Sequence, residues 1–175
     1  MKPSLILWQI GGFTFTAVLG TILHFVYEWT GVIYFAPFSA VNESTWEHMK
    51  IMFFPSFIYA LIEYFALNKN YSGFMITKLL GVITSVILIP VLFYTLSGSF
   101  GKLTGYINVI IFFVSAGIGY LIEYLFLKNK VIKSNKKIIS LIIFTFIAIC
   151  FIVFTFYPPK IPIFIDPRVK LYAIY

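Results

Sequence analysis

Long apolar stretches alternate with short polar breaks along the chain, and their spacing predicts helices. Stretches at 5–29, 44–67, 74–97, 105–127 and 138–157 each reach the roughly 20 residues needed to cross a hydrocarbon core about 30 Å thick. Inside lipid, backbone N–H and C=O groups must be satisfied within the segment, so such runs are read as α-helices. The expected fold class is all-α, a polytopic transmembrane bundle of five spans, followed by a proline-rich extracytoplasmic tail at 158–175. In that tail Pro158, Pro159, Pro162 and Pro167 remove donors and favour extended backbone. Pro55 and Pro90 fall inside spans, as packing kinks or as hinges. The first run continues to Trp29 without a small-residue cleavage site, so it is read as a span and not as a signal peptide. Segment 31–41 is apolar but too short to cross, contains Pro37, and reads as interfacial or re-entrant.

Composition agrees with this picture. The chain is 61% hydrophobic and 11% charged, with a mean hydropathy of +0.97, far from a soluble domain. A net charge of +7 would ordinarily raise the question of nucleic acid, but the basic residues occupy the connections between apolar runs. They read as topology signals, with the lipid bilayer as the partner and no nucleic acid. Lys128, Lys130, Lys133, Lys136 and Lys137 crowd one connection and place it in the cytoplasm. Lys2 and Lys69 then lie inside as well. The orientation is N-in and C-out, for a multi-pass protein of the cell membrane, although Lys102, Lys160, Arg168 and Lys170 count against it. Cys150, the single cysteine, has no intramolecular partner and says nothing of redox compartment. The run Tyr59-Ala60-Leu61-Ile62-Glu63-Tyr64 returns as Gly119-Tyr120-Leu121-Ile122-Glu123-Tyr124. It reads either as a parallel two-helix repeat or as coincidence in a small apolar vocabulary.

Charged groups are costly in a bilayer, so their placement carries the functional clue. Both histidines and four of the six carboxylates gather on the predicted outer side: His24, Glu28, Glu43, Glu47, His48 and Asp166. His24 and Glu28, four apart, share a helix face, and Glu43 and Glu47 repeat that spacing where span two enters the membrane. If spans one and two touch, His24, Glu28, Glu47 and His48 converge as catalytic groups or as ligands of a divalent metal such as zinc. Metal-free acid/base chemistry fits the same set. Asn42, Glu43, Ser44, Asn108 and Asp166 are the supporting residues, with Tyr106 and Lys102 at similar depth. Ordinary roles compete. Ser44-Thr45-Trp46-Glu47 has the form of a capping box, Glu47 and Lys50 form an ion pair at i,i+3, and Trp29 and Trp46 are interfacial anchors. Ser39, Ser44 and Thr45 are hydroxyls near a histidine, but spacing supplies neither a base nor an oxyanion hole. Glu63 and Glu123 pair with Lys69 or Lys78 and with Lys128, or else line an inner polar path with Tyr64, Thr84, Ser85 and Ser115.

The run from Phe38 to Lys50, with its Asn42-Glu43-Ser44-Thr45-Trp46-Glu47-His48 core, follows His24-Phe25-Val26-Tyr27-Glu28-Trp29. Together they resemble the signature of a family of small bacterial integral membrane proteins of unknown function. The resemblance extends to the Pro-Pro and Phe-x-Asp-Pro elements of the tail and brings no activity with it. The residues themselves leave three functions open. One is a hydrolase or transferase acting at the outer leaflet on a lipid or lipid-linked substrate. Another is a small transporter or channel for a cation or a proton-coupled substrate. The third is an accessory subunit beside a partner. A haem between His24 and His48 is a further reading of the same pair.

Overall fold

The computed structural model describes residues 4–101, 103–134, 136–172 and 174. Lys2 and Lys102, and the side chain of Lys69, lie outside the described residues, so the roles expected of them stay with the sequence. The described residues form five long helices: α1 (Leu5–Thr30), α2 (Thr45–Leu67), α3 (Phe74–Phe100), α4 (Gly105–Lys128) and α5 (Lys137–Phe156). All five are long and apolar enough to cross a membrane, so the chain has the build of a multi-pass membrane protein. The largest boundary difference is in α3, which runs three residues past 97 before Gly101 ends it.

α1 packs on α2 and α4, α3 packs on the same two, and the four close into a ring; α5 lies outside against α2 and α3. α2 is therefore the most enclosed span. The polarity is that of a protein dissolved in lipid. Leu7, Ile10 and Val18 of α1 and Ile138, Ile142 and Phe146 of α5 point outward, while Gln9, Thr16, Lys50, Glu63, Lys78 and Glu123 are buried. Successive antiparallel crossings bring the C-terminal ends of α1, α3 and α5 to the same end of the bundle as the N-terminal ends of α2 and α4.

Between α1 and α2 the chain folds back on itself. Gly31, at φ 62°, closes α1 in the left-handed conformation, and its N–H donates to Tyr27 O. After one turn of 3-10 helix (Ile33–Phe35) the segment descends beside the last turns of α1. There the Ser39 hydroxyl donates to Leu23 O and accepts from Tyr27 N–H, bridging the pair that a regular helix bonds directly. Ala40 N–H also donates to Leu23 O at 3.0 Å. Ser39 is thus fully committed to the backbone of α1, which leaves nothing of it for nucleophilic chemistry.

The proline-rich tail returns to the same end of the bundle. Trp46 is no exposed interfacial anchor: it packs on Phe151 of α5 and on Phe164 of the tail, with ring centroids 4.6 Å away in both cases. Trp29, by contrast, stands 69% exposed and stacks on Phe25.

Candidate functional site

The fold-back sets which acid meets the histidines. Because residues 36–41 run down α1 to the level of Leu23, the chain re-enters α2 at the depth of His24, one turn below Glu28. Glu43, expected only in support, consequently sits between the two imidazoles. Its Oε1 is 3.5 Å from His24 Nε2, and its Oε2 is 3.7 Å from His48 Nε2. The two rings meet edge-on at 5.3 Å, and one ligand atom from each of the three residues lies within 4.8 Å of the others.

The other two acids of the expected quartet are not brought in. Glu28 is exposed beyond the cluster on the last turns of α1. Glu47 lies about 100° round α2 from His48, and its carboxylate turns into the protein. There it meets Lys50 Nζ at 2.5 Å and accepts from Val41 N–H at 3.0 Å. Lys50 is completely buried and also donates to Ala36 O and Thr155 Oγ1, both at 2.8 Å, tying α2 to the fold-back and to α5. Half of the capping box forms: Ser44 Oγ accepts from Glu47 N–H, but Ser44 N–H goes to Asn42 Oδ1 instead of returning to Glu47.

Hydrogen bonding fixes the tautomer of His48. Its Nδ1 lies 2.9 Å from Ser44 O, and a carbonyl only accepts, so Nδ1 carries the proton. In the neutral ring Nε2 then holds a lone pair directed at Glu43, across a gap too long for a direct hydrogen bond. His24 Nδ1 is buried without a partner. Beside Glu43, the imidazole of His24 is the main influence holding its carboxyl below the usual carboxylate range. Burial acts in the opposite direction, while His48 and Arg168 reinforce the lowering.

The tail completes the rim. Asp166, fully buried, accepts from Glu43 N–H through Oδ2 (2.9 Å) and from Arg168 N–H through Oδ1 (2.7 Å). Arg168, 63% exposed, places Nη2 3.4 Å from Glu43 Oε1. In the sequence Arg168 reads as a topology signal alone; the structure adds this second role, and its position two residues past Asp166 is the local signal for it.

A cavity of about 240 Å³ adjoins the cluster between α1 and α4. His24, Glu43, His48 and Asn108 form its polar end, and Gly20, Ile51 and Phe112 form its apolar floor. Asn108 Oδ1 is buried there without a partner, whereas Tyr106 points away, 68% exposed. Thr21, Phe25, Val109 and Phe113 also line the cavity and are themselves exposed on the flank of the bundle. The cavity thus opens sideways between two helices.

At the opposite end, Glu63 and Glu123 do not take separate partners. Both engage the ammonium of Lys78, and Lys128 instead covers the ring of Tyr124.

Comparison with known proteins gives a family without an activity. No curated protein and no solved structure matches the chain. A family described only as of unknown function matches residues 2–174, nearly the full length. The chain therefore belongs to that family, DUF6512.

Proposed function

We propose that this protein is a membrane-embedded, metal-dependent hydrolase or transferase acting on a lipid or lipid-linked substrate, with His24, Glu43 and His48 as the ligands. The observation that carries the proposal is the convergence of three ligand atoms, one from each residue, within 4.8 Å of one another. An ion bound at about 2.0–2.1 Å in tetrahedral geometry sets neighbouring ligand atoms about 3.3–3.4 Å apart, and one atom from each of the three residues, already within 4.8 Å of the others, needs only a small side-chain shift to reach that spacing. Two neutral imidazoles and one carboxylate suit zinc and leave a fourth position for water. The Ser44 carbonyl orients the His48 ring in the manner of an outer-sphere ligand partner.

The side opening of the cavity favours a substrate that arrives from the bilayer, its apolar part against Ile51 and Phe112 and its head toward the histidines. Arg168 at the rim suits an anionic head group. With the lysine-rich connection in the cytoplasm, the site faces outward on the cell membrane. The apolar floor favours a pocket open on one side over a transport path through both faces.

Elemental analysis of purified protein after zinc loading and dialysis tests the metal. One equivalent is expected in the wild type, in Glu28→Gln and in Glu47→Gln, and a loss of at least tenfold in affinity in His24→Ala, His48→Ala and Glu43→Gln. Equal retention of metal in Glu43→Gln and His48→Ala would overturn the assignment. Turnover is then sought on phospholipids and polyprenyl phosphates in mixed micelles.

A further inference from the structure

The inner end of the bundle holds a polar group with no part in the reading above. Glu63 of α2 and Glu123 of α4 both contact Lys78 of α3, and all three side chains are at most 2% exposed. Gly81, one turn beyond Lys78, makes this geometry accessible: a Cβ there would stand 2.2 Å from Glu123 Cγ. From α1, Gln9 donates to Glu63 Oε1 at 2.8 Å, while its own Oε1, buried at the cluster, has no partner. From α4, the Tyr120 ring lies under Lys78 at 5.0 Å. Tyr59 of α2 donates to Trp8 O, and on α5 Lys137 engages Tyr64 instead.

Charge does not balance here. Among the described residues, two buried carboxylates face one buried ammonium, which leaves a negative charge uncompensated where burying one is costly. Beside it, the buried Gln9 oxygen is an acceptor without a donor. We propose that the Glu63–Lys78–Glu123 array is a proton-binding site that holds one exchangeable proton between its two carboxyls. The proton turns one carboxylate into a neutral acid with an O–H to donate to the other, while Gln9 keeps donating to Glu63. From this site hydroxyls run outward. Tyr120 meets Thr16 at 2.8 Å and Thr16 meets Ser56 at 3.3 Å, one helical turn short of Gly20 in the floor of the outer cavity.

Infrared spectra of the purified protein in light and heavy water, near neutral pH, read the protonated carboxyl directly through its C=O stretch. The wild type is expected to show a band that shifts on deuteration and loses one carboxyl's intensity in both Glu63→Gln and Glu123→Gln. In Lys78→Met it gains one. A band unchanged by either glutamine substitution overturns the site, as does a wild type that lacks the band and binds sodium in its place. Folding decides in the same direction. Glutamine mimics a neutral carboxyl, so each single variant is expected to purify as a folded protein, and failure of both would mean that both carboxylates are ionised.

Discussion

Replacing Lys50 with methionine removes the ammonium that faces Glu47 while keeping most of the side-chain volume. The Glu47 carboxylate is then left 2% exposed with the Val41 N–H as its remaining donor, and Ala36 O loses a donor as well. Breaking a buried pair from one side costs about 3–5 kcal/mol. For a chain of this length that corresponds to a fall of about 6–20 °C in Tm. Thermal unfolding in a mild detergent, followed by tryptophan fluorescence, measures it. The double variant Lys50→Met/Glu47→Gln removes the stranded charge and is expected to recover at least half of the loss, because a neutral pair of similar shape is often tolerated. The same series separates structure from chemistry: Glu47→Gln is expected to keep the metal that Glu43→Gln loses. A Tm within 2 °C of wild type in the single variant, or a double variant no better than the single, would refute the buried-pair argument.

Three further outcomes concern the histidine end of the bundle. The folded-state pKa of Glu43 is lowered, so its ionisation contributes stability above the usual carboxylate range, and that contribution is lost as pH falls through the lowered value. The slope of Tm against pH in this acid range is expected to flatten in Glu43→Gln; an unchanged slope would disprove it. A side chain at Gly20 has its Cβ 2.6 Å from Phe112 Cζ and 3.1 Å from Ile51 O. Gly20→Leu is therefore expected to fill the cavity floor at a cost of about 1–3 kcal/mol, with zinc retained and lipid turnover lost; turnover at the wild-type rate would count against the cavity as the substrate site. Asp166→Ala deprives Glu43 N–H and Arg168 N–H of their acceptor, costing about 1–3 kcal/mol. Limited proteolysis is expected to cut the tail at Arg168 sooner than in the wild type, and equal rates would argue against this anchor.

Helices were readable because lipid imposes one simple requirement on backbone and side chains alike, so run length alone placed all five. That the histidines lie at one depth was also readable, from the near-mirror positions of His24 and His48 about the connection. Which carboxylate joins them was not. Helical periodicity favours Glu28 and Glu47, since it treats each span as an isolated cylinder. The deciding contacts are the backbone bonds of Ser39 and Ala40 to α1, which set how far the chain descends before α2 begins. Sequence distance hid the shared use of Lys78 for the same reason: Glu63 and Glu123 reach it from opposite neighbours in the ring, and no local spacing encodes that.

The hydrogen bond from Glu43 to Asp166 joins the connection between α1 and α2 to the segment that follows α5. During synthesis the four-helix ring can be threaded into the bilayer while residue 166 is still inside the ribosome. The mouth of the bundle is consequently completed only after the ring is in place, and a chain interrupted after α5 would be an inserted scaffold in which Glu43 N–H lacks its Asp166 acceptor. In such a protein insertion of the ring and assembly of its mouth are separate events, and translation of the segment that carries Asp166 is what divides them.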